Sequence, residues 1–238
     1  MLSHIKSGKN YTVVIGNQHY TFNDGHLFYK DLINSVMKGD EVAFKEKISV
    51  RDGVVTWSRK NFSFKDGVLY YKSDPLNQVV SDYVYELLEA GHTAEPILKF
   101  IENLYLNPSK RAVDELYNFL AHKNMPITPD GCFLAYKAIT VDWKDKWTKT
   151  ICNKIGARPK MPRHKVSDDV KNDCHYGLHA GSVTYASVYR KENDRMVIVK
   201  INPKHVVCIP EADSNKLRCC EYKVLEEFTQ PLSNGLSQ

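Results

Sequence analysis

The chain has 238 residues, of which 42% are hydrophobic and 26% are charged, a composition typical of a soluble globular protein with its own buried core. No run of about 18 apolar residues occurs, and the opening MLSHIKSGKN has no apolar segment, so we expect neither a membrane-spanning helix nor a secretory signal. The net charge is +5, but residues 144–171 alone carry nine Lys/Arg against three Asp, which predicts a local anionic partner.

The first 74 residues are predicted to form a small α+β unit. Residues 11–22 alternate around a Gly-Asn pair, as a tight β-hairpin does. Apolar residues at helical spacing predict a helix that ends at Gly39, and Asp40 is the predicted N-cap of a second helix. Asp-Gly strings within 51–57 and 65–71 predict turns that lead into strands.

Residues 75–124 are predicted to form a helical connector. Three apolar stripes at helical spacing follow one another, and each stripe is the expected core-facing side of a helix. Thr93 and Ser109 are the predicted caps of the second and third helices. The stripes lie at 79–88, 97–105 and 113–120.

Residues 125–230 are predicted to form a C-terminal α+β domain with a mixed or antiparallel sheet, followed by a disordered tail at 231–238. The expected order is a strand at 132–139, a basic loop, a short helix from Ser182, and further strands. The fold class is therefore α+β throughout. The later strands are predicted at 196–201, 205–209 and 217–228.

Four blocks of the chain carry a family resemblance. They are residues 107–139, KMPRHKVSDD at 160–169, CHYGLHAGS at 174–182 and VVCIP at 206–210. With these blocks in this order, the chain resembles the rIIB-like proteins of tailed phages, the protectors from prophage-induced early lysis. The resemblance implies a counter-defence protein of the host cytoplasm that acts alongside a larger rIIA-like partner.

The stretch DCHYGLHAGS at 173–182 admits several chemistries. Cys174, His175 and His179 lack the second short-spaced ligand pair that zinc sites use, so no metal and no cofactor is predicted. Nucleophilic catalysis by Cys174 and a plain strand-to-helix turn stay open. His179 and His175 are the candidate catalytic pair, one as base and the other as acid, for metal-independent cleavage of a phosphodiester.

A phosphate or nucleotide pocket is the favoured interpretation of this stretch. Glycines let backbone N–H groups approach an anion, a helix N-terminus favours negative charge, and the preceding loop supplies cations. Two tryptophans among lysines are a common means of stacking a base. The candidate ligand-binding residues are Lys160, Arg163, His164, Lys165, Gly177, Gly181, Ser182, Thr184, Tyr185, Trp143 and Trp147.

The sequence therefore predicts a phage protein that sequesters a phosphorylated ligand, such as a cyclic nucleotide immune signal, through its C-terminal domain. The first alternative is an enzyme, a metal-independent phosphodiesterase that cleaves such a signal. The second is a non-enzymatic interaction protein that binds an rIIA-like partner, nucleic acid or, peripherally, the inner membrane surface. Homo-oligomerisation also stays open.

Overall fold

The computed structural model describes residues 1–24, 26, 28–48, 58–59, 61–65, 68–90, 92–123, 125–211 and 215–229. The chain folds into two compact units, Met1–Glu95 and Pro96–Gln238, and helices and antiparallel sheets confirm the α+β class. The division at residues 74/75 and 124/125 stays a prediction. The predicted tail, 231–238, lies outside the described residues, as does the predicted strand at 51–57.

The first unit begins with the predicted hairpin, which is confirmed. Ile15 pairs with Gln18 across a turn in which Gly16 has φ +59°. Gly39, with φ +74°, ends the first helix, and the Asp40 carboxylate caps the second by accepting from the Ala43 N–H at 3.0 Å. The elements are β1 (Ser3–Ser7), β2 (Asn10–Ile15), β3 (Gln18–Asn23), α1 (Tyr29–Lys38) and α2 (Glu41–Ile48).

A second antiparallel sheet and a helix complete this unit. The Asn77 side chain caps the helix by accepting from the Val80 N–H at 3.0 Å. The buried Ser81 hydroxyl accepts from the Leu69 N–H at 3.0 Å and so fixes the helix to the sheet. The elements are β4 (Ser58–Arg59), β5 (Phe62–Lys65), β6 (Val68–Tyr71), β7 (Asp74–Pro75) and α3 (Gln78–Glu89).

Two helices, α4 (Glu95–Leu104) and α5 (Lys110–His122), follow as predicted. The Ser109 hydroxyl caps α5 by accepting from the Ala112 N–H at 3.3 Å, and the Thr93 hydroxyl accepts from the Glu95 N–H at 3.3 Å. The apolar stripes of both helices are buried, as their sequence period requires.

The second unit is built on a six-stranded, fully antiparallel sheet with strand order β11-β12-β9-β8-β10-β13. The single strand predicted at 217–228 is wrong, because the chain leaves the sheet at residues 220–222 and two separate strands result. The elements are β8 (Phe133–Ile139), β9 (Leu178–Gly181), α6 (Val183–Tyr189), β10 (Arg195–Ile201), β11 (Val206–Cys208), β12 (Lys216–Cys219) and β13 (Lys223–Glu227).

This sheet must curl. The chain passes from Cys219 on β12 to Lys223 on β13, which are the second and sixth strands of the sheet. Four residue steps span at most about 15 Å, whereas four strand spacings in a flat sheet measure about 19 Å. The sheet therefore curves until its second and sixth strands approach each other, and residues 220–222 bridge them.

The two faces of the sheet carry different side chains. One face is mainly apolar, and Phe133 on β8 contacts Phe100 of α4 with ring centroids 6.5 Å apart. Lys137, four residues along β8, lies on this same face by strand alternation and donates to the His179 carbonyl at 2.7 Å. The other face carries His179, Lys216 and Arg218 on the adjacent strands β9 and β12, where His179 and Arg218 are directly paired. Lys216 and Arg218 are nevertheless buried, so this second face is also covered.

We expect Gly131→Ala to destabilise the second unit strongly. Gly131 has φ +71°, and an added Cβ would lie 2.4 Å from the backbone carbonyl carbon of Lys99. The matched control is Gly156→Ala, which has φ +85° but open space around the new Cβ. The control should lose about 1–2 kcal/mol of unfolding free energy from backbone strain alone, and Gly131→Ala clearly more. Urea unfolding measures both, and equal losses would contradict the packing argument.

Candidate functional site

Residues 158–165, in the second half of the basic segment 144–171, lie beside residues 220–222, where the chain crosses from β12 to β13. The N–H of Met161 donates to the Cys220 carbonyl at 2.9 Å, and the N–H of Tyr222 donates to the Pro159 carbonyl at 3.3 Å. In this extended stretch alternate residues face outward, so Arg158 and Lys160 are exposed while Pro159 is buried. His164 and Lys165 follow on an exposed 3₁₀ turn. We call Arg158, Lys160, His164 and Lys165 the basic ridge.

Arg163 is the anchor of this ridge. Its guanidinium donates to the Lys204 carbonyl at 2.9 Å, to the Val206 carbonyl at 2.9 Å and to the Asn107 side-chain oxygen at 2.8 Å. Arg163 was predicted to hold phosphate, but these three bonds point its donors at the protein. The planar, multi-donor guanidinium suits such a convergent set of oxygens, which a lysine ammonium does not match.

The two glycines of the GLHAGS turn bring parts of the chain itself together. A Cβ on Gly181 would lie 2.2 Å from the Asn215 carbonyl oxygen, and a Cβ on Gly177 would lie 2.9 Å from the Val166 side chain. Gly177 also has φ +152°. Close backbone approach is thus used for packing at both positions, rather than left open for an anion.

The short helix α6 is capped from within the chain. The Ser182 hydroxyl accepts from the Tyr185 N–H at 3.1 Å, and the Ser182 N–H donates to the Asn215 carbonyl at 2.8 Å. Thr184 is exposed in the first turn, while the Tyr185 ring contacts the Tyr189 ring at a tilt of 51°, with ring centroids 4.8 Å apart. The predicted N-cap role of Ser182 is confirmed. The Ser182 hydroxyl and the Ser182 and Tyr185 N–H groups, which were expected to face a ligand, are therefore already hydrogen-bonded within the chain.

The two candidate catalytic histidines differ in burial, and the ring of His179 is hydrogen-bonded to the backbone of His175 rather than facing its ring. His175 is exposed outside the strand, whereas His179 is half-buried on β9 and its Nε2 has no partner among the described residues. Burial lowers the pKa of His179 to about 4, with the nearby charges of Lys137, Arg218 and Lys216 acting in the same direction. His179 is therefore a neutral ring at pH 7, held beside buried cations.

The tryptophans lie elsewhere on the second unit. The Trp143 ring packs on the Arg195 guanidinium at 4.6 Å, and Trp147 is 89% exposed. No hydrogen bond, ion pair or ring contact joins either tryptophan to the basic ridge in the part of the chain that the structure describes. Stacking of a base by these rings therefore has no geometric link to the ridge cations.

Arg218 is the buried group that the sequence did not reveal. It is fully buried, donates to the carbonyl of Asn172 at 2.6 Å and to the Cys208 sulfur at 2.9 Å, and its Nε has no partner among the described residues. In the string KLRCC the charged residues alternate with apolar ones, which by itself predicts an exposed strand face. The covering segment that buries Arg218 starts almost fifty residues earlier, so no local pattern signals it.

Within the described ranges, no three His, Cys, Asp or Glu side chains are grouped so that they would hold a metal ion. Among the helices in those ranges, none combines the length and apolar character that crossing a bilayer requires.

Together these features define an α+β protein with a curled antiparallel sheet and an anchored basic ridge. Residues 3–235 match the family profile described as "Bacteriophage T4 protein rIIB". The chain is 32% identical over 206 residues to Protein rIIB of Enterobacteria phage T4, covering 86% of this chain and 66% of the T4 protein, just under two thirds of its length. No solved structure matches. The chain belongs to the rIIB family of phage proteins.

We expect His179 to make the protein less stable in acid. The folded chain holds the pKa of His179 at about 4, below the ordinary value of 6.5, so the unfolded chain binds more protons between these two values. This contribution is complete above pH 6.5 and is lost as the pH falls toward 4, to a total of about 3 kcal/mol. His179→Gln should flatten the unfolding free energy against pH in this window by that amount. An unchanged slope would contradict the burial of the ring.

Proposed function

We propose that the protein is a phage counter-defence factor that captures a phosphorylated ligand on the basic ridge of its second unit. The host cytoplasm is the proposed site of action. Membership of the rIIB family supports the phage context, and the anchored ridge is the single observation that favours an anionic ligand. The ligand class that we favour is a nucleotide signal.

Charge and order support the ridge as the binding surface. Arg158, His164 and Lys165 are exposed and have no ion pair among the described residues, and Lys160 pairs with Glu221 at 3.3 Å. A surface whose backbone is already fixed by hydrogen bonds loses little conformational entropy on binding. The proposed site keeps Lys160, His164 and Lys165 from the sequence prediction, while Arg163 positions them.

Binding is better supported than cleavage. A two-histidine phosphodiesterase needs both rings within reach of one phosphate, and His175 is exposed while His179 is half-buried with an unpartnered nitrogen. The exposed ridge needs no such convergence. Contact with an rIIA-like partner, with nucleic acid or with the inner membrane surface remains the rival use of the same charges.

The test is to incubate the purified protein with cyclic di- and trinucleotides, NAD and cyclic ADP-ribose, and to follow each compound by chromatography before and after heat denaturation. We expect one compound to disappear from solution and to return unchanged on heating. Arg158→Ala with Lys165→Ala should weaken its binding at least tenfold, which corresponds to about 1.4 kcal/mol.

The matched control is Lys149→Ala with Lys154→Ala, because these exposed lysines also have no ion pair among the described residues and their loss changes the net charge equally. The control should bind as the wild type does. Equal weakening of both variants, with a steep dependence on salt, would mean unspecific charge attraction and would overturn the proposal. Conversion to a new product would establish an enzyme instead, and no binding at all would favour protein or membrane contact.

A further inference from the structure

A cysteine, a histidine and a glutamate meet beneath the basic ridge. Cys220 follows β12 and His205 precedes β11, and the two residues are paired across these strands, with the Cys220 N–H donating to the His205 carbonyl at 3.0 Å. The Cys220 sulfur lies 3.6 Å from Nδ1 of His205. The other ring nitrogen, Nε2, lies 3.9 Å from a carboxylate oxygen of Glu221. The order thiol, imidazole, carboxylate is that of an activated nucleophile.

The other cysteines lack this arrangement. Burial raises the pKa of the Cys132 and Cys208 thiols, and raises that of Cys219 to about 12, so these thiols resist ionisation. Cys152 and Cys174 are exposed. Cys220 is also buried, at 7% exposure, but in the described part of the chain it alone has an imidazole nitrogen within hydrogen-bonding distance of its sulfur.

His205 is suited to take the thiol proton. Burial lowers its pKa, with Lys204, Lys160 and Arg163 acting in the same direction, so the ring is neutral at pH 7 and has a nitrogen free to accept. Glu221 opposes this shift and faces the second nitrogen, where it would stabilise the imidazolium that forms.

We propose that Cys220 is a reactive thiol that forms a mixed disulfide with a small disulfide such as oxidised glutathione, with His205 as its proton acceptor. The Cys220 proton passes to His205, and the thiolate attacks one sulfur of the disulfide. A new S–S bond forms at Cys220 and the original one breaks. The departing glutathione thiolate takes the proton from His205, so one disulfide and one thiol give one mixed disulfide and one thiol.

The modification has a consequence for the basic ridge. Cys220 packs with Val166, Val207 and Met161, and its carbonyl holds the Met161 N–H. A glutathionyl group does not fit into this apolar cluster, so its attachment displaces the segment that carries the ridge. Oxidation is thus predicted to release the ligand, a consequence that rests on the proposed function, whereas the reactivity of the thiol does not.

The experiment treats the intact protein with oxidised glutathione at pH 7 and follows each cysteine by mass spectrometry. Trypsin cleavage after Arg218 and Lys223 gives the peptide CCEYK, whose fragment ions distinguish Cys219 from Cys220. Cys220 should react much faster than Cys219. His205→Asn should lower the reaction rate of Cys220 at least tenfold and leave the reaction rate of Cys174 unchanged. A positioned general base typically contributes about a hundredfold or more, so tenfold is a conservative threshold.

The pH dependence of the wild-type protein provides a second readout, which does not require the His205→Asn variant to fold. In the wild-type protein, the reaction rate of Cys220 should stay nearly constant as the pH is lowered from 8 to 7. The reaction rate of a thiol without a neighbouring base falls about tenfold over the same pH unit, because less thiolate is present. A Cys220 rate equal to that of Cys219, or unaffected by His205→Asn, overturns the proposal. Binding of the nucleotide panel before and after modification tests ligand release separately. If Cys220 is modified and the bound compound is retained, the predicted displacement of the ridge is wrong. If the unmodified protein binds no compound, only the proposed function is overturned.

Discussion

The second unit depends on the hydrogen bonds that converge on Arg163 and Asn107. Arg163 donates to the Asn107 side-chain oxygen, while the Asn107 amide donates to the carbonyls of Pro203 and Val206, both at 2.8 Å. The link between α4 and α5, the edge of the sheet and the basic segment are thereby joined by one network. Because Asn107 is buried, breaking the network would leave polar groups without partners, which costs about 1–3 kcal/mol for each group.

The curl of the sheet determines where charge can lie. It lets residues 220–222 bridge β12 and β13, so the basic segment can run beside them and expose alternate cations. On the second face of the sheet, the buried Arg218 guanidinium donates to the backbone carbonyls of Asn172 and Asp169 instead of to a carboxylate, while its Nε has no partner among the described residues. Lys137 likewise has a backbone carbonyl as its partner, because its ammonium donates to the His179 carbonyl at 2.7 Å. The cations of the ridge, by contrast, are exposed, where a ligand can reach them.

Local patterns in the sequence predicted most of the helices and turns correctly, but they did not predict the contacts that form the site. The Gly16 turn, the Asp40 cap and the Ser109 cap were predicted because each depends on neighbours within a few residues. The strand at 217–228 was mispredicted because its interruption at 220–222 arises from sheet curvature, which no short window contains. Arg163 was recognised as important, but its partner Asn107 is 56 residues away, so its anchoring role was read as phosphate binding.

The histidines show the same limit. His175 and His179 were predicted as a catalytic acid–base pair, but Gly177 between them, with φ +152°, interrupts the strand geometry, and only His179 enters β9. The pair formed by His205 and Cys220 had no sequence signal either, because antiparallel pairing of β11 with β12 brings together residues that are 15 positions apart.

Hydrogen exchange on Arg163→Lys tests whether Arg163 holds the basic ridge in place. The amides of Met161 and Tyr222 should exchange at least tenfold faster in the variant, since a hydrogen bond to a charged group contributes about 1.5–3 kcal/mol. The β8–β10 ladder should keep its protection. Unchanged exchange at Met161 and Tyr222 would contradict the account, and so would an equal loss of protection across the whole sheet.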